Sequence, residues 1–175
     1  MRAVTLVLMV LVLAGCAQPS PGTPTADDQV MPADFAGKVS YGNGSVAPPY
    51  HYGWRLTFDA STAVVEWTPG YDETFQPWRE SVDITGERRA ALYERLRDLG
   101  VFDMAAATDD DMVGGPTGTV EITANGRTHD PGTLGLSEDS GQLLDDVVAA
   151  VEKFVPADVW DGLRARQDDW AAAQK

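Results

Sequence analysis

Cysteine occurs once in this chain of 175 residues and histidine twice. A lone cysteine cannot close an internal disulfide, so stability has to come from a packed core. Five tryptophans, five tyrosines and five phenylalanines supply the bulk for one. His51 and His129 lie in or beside expected strands, and no His/Cys/Glu cluster has the spacing that the three or four ligands of a zinc site need. Both read as surface or edge residues. There is no Gly-x-Ser-x-Gly elbow, and the glycines fall in turns rather than in a phosphate-cradling loop. We therefore expect no catalytic residue, no metal and no cofactor. Basic residues are also scarce, 13 against 27 acidic, for a formal net charge of -14. That balance argues against nucleic acid as a partner and against electrostatic adsorption to anionic lipid. Finally, the apolar run Ala3–Ala14 is too short for the roughly 20 residues that a membrane-spanning helix requires.

What is present at the N-terminus reads as an address. Arg2, the short apolar run and the small residues closing it have the pattern of a secretory signal peptide. The run ends Leu13-Ala14-Gly15-Cys16, which resembles the lipobox of bacterial lipoproteins. The resemblance implies cleavage between Gly15 and Cys16 and a diacylglyceryl group on the Cys16 sulfur. It also implies lipid anchoring to the cell membrane, facing the extracytoplasmic side. Gln18–Gln29, QPSPGTPTADDQ, has the composition of an extended tether, and a plain spacer fits it better than a glycosylated tract. The expected organisation is a signal peptide over 1–15, a lipidated N-terminus and tether over 16–33, and a single domain over 34–175.

Within that domain, Phe35–Tyr41 alternates weakly and reads as a first strand. Tyr52–Phe58 and Thr62–Thr68 alternate around a short polar turn, the pattern of an antiparallel hairpin. A further strand is expected near Trp78–Ile84, with Thr85 capping a helix that carries Leu92, Leu96 and Leu99 and ends at Gly100. Thr119–Ala124 is the most regular alternation in the chain and runs into Asn125-Gly126, a hairpin turn. The return strand is expected over Arg127–Asp130. From Gln142 an apolar stripe runs through Leu144, Val147, Val148, Val151 and Phe154 to a stop at Pro156, and a shorter helix follows over about Asp158–Ala173. The expected class is α+β: an antiparallel sheet of five or six strands packed by two main helices, with a short C-terminal helix.

Two sequence features invite a functional reading. Asp109-Asp110-Asp111 suggests calcium, but Val113 stands where an EF-hand ligand belongs and no closing glutamate follows; a solvated acidic loop fits better. The aromatic stretch Tyr50-His51-Tyr52-Gly53-Trp54, with Trp67, Tyr71, Phe75 and Trp78, is the other. The period-two placement of Trp54, Trp67 and Trp78 assigns those three to the core. Tyr50, Tyr52 and Tyr71 are the candidates for an exposed binding surface. The order of elements over Lys38–Val155, with "DLGVFDM" closing the first helix, is similar to that of small exported bacterial domains such as the emfourin-like inhibitors of metalloproteases. The similarity lies in periodicity rather than in a motif, so no functional residue is carried over. The leading expectation is a non-catalytic binding or interaction module acting on an envelope protein or ligand. An inhibitor of a secreted protease or other envelope enzyme is the alternative.

Overall fold

Strict alternation in the strands decides the architecture. In the computed structural model, which describes residues 30–72, 74–105 and 114–174, Trp54, Leu56 and Phe58 of β2 (Tyr52–Phe58) are buried while Arg55 and Thr57 are exposed. The same period places Ala63, Val65 and Trp67 of β3 (Thr62–Pro69) and Val120, Ile122 and Ala124 of β5 (Thr117–Ala124) on the covered face. β1 (Ala36–Gly42) lies between β2 and β5, and β4 (Trp78–Asp83) adds to β3. β6 (Arg127–His129) and the two-residue β7 (Thr133–Leu134) both pair with β5. All pairs are antiparallel, giving seven strands in the order β4-β3-β2-β1-β5-β6 with β7 also on β5. The α+β class with an antiparallel sheet is as the sequence indicates.

Register puts four aromatics in one row across the sheet: Tyr41 opposite Trp54, Trp54 opposite Trp67, Trp67 opposite Trp78. Directly opposed residues share a face, so this row lies on the covered side. Three helices cover it: α1 (Gly86–Asp98), α2 (Glu138–Phe154) and α3 (Ala157–Ala173). The Thr85 hydroxyl caps α1 by accepting from the Arg88 N–H, and Gly100, at φ 76°, follows its end. α2 begins four residues before its apolar stripe, because Ser137 and Ser140 bond each other's backbone N–H reciprocally. α3 is as long as α2, 17 residues each. Phe154 of α2 meets Phe58 edge-on and Trp160 of α3 meets Trp54 the same way, so both helices seat on β2. Arg166 of α3 lies over the Trp78 ring and pairs with Glu80, tying α3 to the β4 edge. Residues Met31–Lys175 make one compact unit around this core. The opposite face of the sheet carries Lys38, Arg55, Thr57, Thr119 and Glu121, the solvated side expected of an antiparallel sheet.

Three surface carboxylates hold turns. Asp34 accepts from the N–H groups of Asn125 (2.9 Å) and Gly126 (2.6 Å), pinning the β5–β6 turn, where both residues have positive φ. Asp59 accepts from Ser61 and Thr62, and Asp72 from the hydroxyl and N–H of Thr74. The Gly126 N–H holds the Asp34 carboxyl below its ordinary 3.8; the Ser61 N–H does so for Asp59, and the Thr74 hydroxyl for Asp72. A carboxyl lowered by folding adds stability that is fully present above its unfolded value and is lost as pH falls through the folded value. We expect the urea midpoint to hold down to about pH 5 and to fall below about pH 4. Asp34→Asn should lower the midpoint at neutral pH and flatten part of that fall. A wild-type midpoint unchanged through the acid range would contradict the assignment.

Candidate interaction surface

The aromatic stretch occupies the corner where β1 passes to β2 and where β3 ends. After β1, Asn43 grips the far side of the connection. Its N–H donates to the Tyr52 carbonyl (3.1 Å), its side-chain amide donates to the Tyr50 carbonyl (2.9 Å), and its side-chain oxygen accepts from the Tyr52 N–H (3.0 Å). Between them Pro48-Pro49-Tyr50 forms a single 3-10 turn, with the Tyr50 N–H donating to the Ala47 carbonyl. Prolines suit that turn because their φ is already set.

A second strap comes from the end of β3. Gly70 donates its N–H to the His51 carbonyl (2.8 Å), and its own carbonyl lies 2.6 Å from His51 Nδ1. A carbonyl only accepts, so Nδ1 carries the proton. Gly70 has φ 68°, and a Cβ there would stand 2.7 Å from the Trp170 ring. Both conformation and space therefore demand glycine. The Tyr71 ring stacks on His51 (3.7 Å between centroids), and its hydroxyl accepts from the Val46 N–H and donates to the Val46 carbonyl (2.8 Å).

The third strap comes from the core. Gln167 of α3, 7% exposed, accepts from the Trp67 indole N–H (3.0 Å) and donates its amide to the carbonyls of Pro49 (3.2 Å) and His51 (3.3 Å). A buried polar side chain is thereby satisfied, and the loop is keyed to the centre of the aromatic row.

The corner so held exposes Val46 (39%), Tyr50 (57%) and Tyr71 (51%), three of the five exposed large hydrophobics among the described residues. Tyr50 and Tyr71 are thus at the surface, as the sequence suggests. Tyr52 is not, and its candidacy is corrected. It is half-buried, stacks on Trp67 at 4.4 Å and packs against the core, and burial pushes its phenol above the ordinary range. Trp54 and Trp67 are buried and Trp78 packs partly buried against them, so the core assignment of the three tryptophans holds. Val46 and Gln167 are members that sequence reasoning missed. Gln167 had a signal: it falls on the Trp160, Leu163, Ala171 stripe, where a polar residue must find a buried partner.

His129 donates from Nδ1 to the Phe102 carbonyl (2.9 Å) and meets the Phe102 ring edge-on, far in sequence from this corner. Among the described residues no group of three or more His, Cys, Asp or Glu is arranged to hold a metal ion, and no helix is long and apolar enough to cross a membrane. Gly15, Cys16 and Asp109-Asp110-Asp111 lie outside the described residues. No protein-family model matches the chain, and no curated protein matches it in sequence.

Proposed function

We propose that this protein is a lipid-anchored, extracytoplasmic binding module without catalytic activity, presenting the Val46, Tyr50 and Tyr71 corner to a protein or ligand of the cell envelope. The observation that carries the proposal is the combination of exposure and fixation at that corner. Tyrosine offers large, stiff contact area, and a loop already held in one conformation loses little entropy on binding. Three independent straps, from Asn43, Gly70–Tyr71 and Gln167, hold a loop whose tip is apolar. Packing alone does not call for that, because Tyr50 contributes little to the core it leaves. The lipobox-like Cys16 and the tether after it support the placement at the membrane.

A fixed, proline-containing loop with an exposed tyrosine is also what an inhibitor offers to a protease cleft. Together with the general likeness to emfourin-like inhibitors, this supports inhibition of a secreted protease as the second reading.

Site-specific photocrosslinking in intact cells tests the proposal. A photoreactive residue at Tyr50 should give a discrete adduct, and one at Thr57, on the open polar face, should give none. Tyr50→Ser should abolish capture by a probe placed at Tyr71 while changing stability by no more than about 0.5 kcal/mol. Equal capture from positions 50 and 57 would refute the surface. Stoichiometric inhibition of a protease by the purified protein, lost in Tyr50→Ser, would select the second reading.

A further inference from the structure

α1 and α2 do not close against each other completely. A crevice of about 320 Å³ runs between them, floored by the buried Leu92 and Phe154 and walled by Ala91, Ala149 and Ala150. Alanines at facing positions leave the space that larger side chains would fill. Its volume lies near the lower end of the range for small-molecule sites, roughly 300–1,000 Å³.

The rim reverses the charge of the molecule. Arg88, Arg95 and Lys153 stand around the opening against the single carboxylate of Asp146, in a chain with twice as many acidic as basic residues. Two of the cations are held in place. Arg88 donates from one terminal nitrogen to the carbonyls of Lys153 (3.3 Å) and Phe154 (3.0 Å) at the end of α2. Arg95 donates to Asp146 (2.5 Å), which also accepts from Gln142. Lys153 has no ion-pair partner among the described residues. The guanidinium groups keep further N–H donors beyond these bonds.

We infer that this crevice binds a small amphiphilic anion, an alkyl chain ending in a carboxylate, with the chain on Leu92 and Phe154 and the head group at the end where Arg88 and Lys153 meet. Charge complementarity names the head group and the apolar floor names the chain. A partner helix is the poorer occupant, because helix-in-groove recognition needs an extended groove for anchors at i, i+3, i+4 and i+7, and only two large apolar residues line this one.

Octanoate is the probe, titrated into the full-length protein held in phosphatidylcholine nanodiscs with its alanine methyl groups carbon-13 labelled. Partition into empty discs is subtracted. The methyl signals of Ala91, Ala149 and Ala150 should shift saturably, while those of the buried strand residues Ala63 and Ala124 stay fixed. Octanol should bind about tenfold more weakly, as expected for loss of a charge-assisted contact. Lys153→Glu should weaken octanoate by a similar factor. Ala149→Leu, which fills the crevice without touching the rim charges, should abolish the shifts while leaving Ala63 and Ala124 in place. Absence of a saturable shift would overturn the inference. So would octanol binding as well as octanoate. An acidic amphipathic helical peptide that moves these methyls where octanoate does not would overturn it in favour of a protein partner.

Discussion

Trp67→Ala is expected to cost about 3–5 kcal/mol of stability, the range for removing a buried aromatic. The indole is 2% exposed and occupies the middle of the Tyr41, Trp54, Trp67, Trp78 row. Tyr52 stacks on one side of it, and Trp54, wedged against Trp160, occupies the neighbouring place in the row. Tyr52 and Trp54 both belong to β2, which is held in register by β1 on one side and β3 on the other, so they cannot slide inward to fill the space. The substitution also strips Gln167 of the donor that orients it, and Gln167 is what keys Pro49 and His51 to the core. The loss should therefore spread to the exposed corner, seen as faster hydrogen exchange at the Tyr50 amide. Gln167→Leu separates the two effects. It keeps the indole packed, leaves the indole N–H unpaired at a cost of about 1–3 kcal/mol, and should speed the same exchange. Both are read from urea titrations beside Tyr50→Ser, which should move the midpoint little. A Trp67→Ala variant no less stable than Tyr50→Ser would refute the row as the centre of the core.

The strands were legible wherever one face is buried and the other wet. β2, β3 and β5 alternate without interruption, and the register of the β2–β3 hairpin follows from Trp54 and Trp67 sharing a face. β7 was not legible, because two residues have no period; it exists because Leu134 meets Gly118 across β5 and fills the end of the aromatic row. The first turn of α2 escaped for a different reason. Glu138, Asp139 and Ser140 carry no apolar stripe, and the helix starts there on hydrogen bonds between Ser137 and Ser140 rather than on burial.

The candidate surface was half legible. Tyr50 follows two prolines and Tyr71 follows Pro69-Gly70, so both fall at breaks in the pattern, where side chains leave the core. The place of Tyr52 is legible from parity: it lies two residues before Trp54 and shares its face. The straps were not legible. Gln167 lies 100 residues from Trp67, and Asn43 clasps a turn whose shape depends on where β2 resumes. Contacts of that kind belong to topology, which local periodicity does not carry.

Cys16→Ser is expected to abolish lipidation outright. In the lipobox reading the Cys16 sulfur is the atom that receives the diacylglyceryl group, and a serine hydroxyl does not replace it. The consequence for attachment is large. Each buried methylene contributes about 0.8 kcal/mol, so a single chain binds a bilayer marginally, whereas two chains hold it stably. Among the described residues no helix is long and apolar enough to cross a membrane. The chain's net charge of -14 also opposes adsorption to anionic lipid. Fractionation alone is a poor readout, because an uncleaved Ala3–Ala14 run could keep the variant with the membrane. Metabolic labelling with a fatty acid and the mass of the N-terminal peptide are the decisive measurements. Wild type should carry the label on a peptide beginning at Cys16, and Cys16→Ser should carry none and keep residues 1–15. Label on the variant at the wild-type level would refute the lipoprotein anchor, and with it the membrane placement on which the proposed function rests.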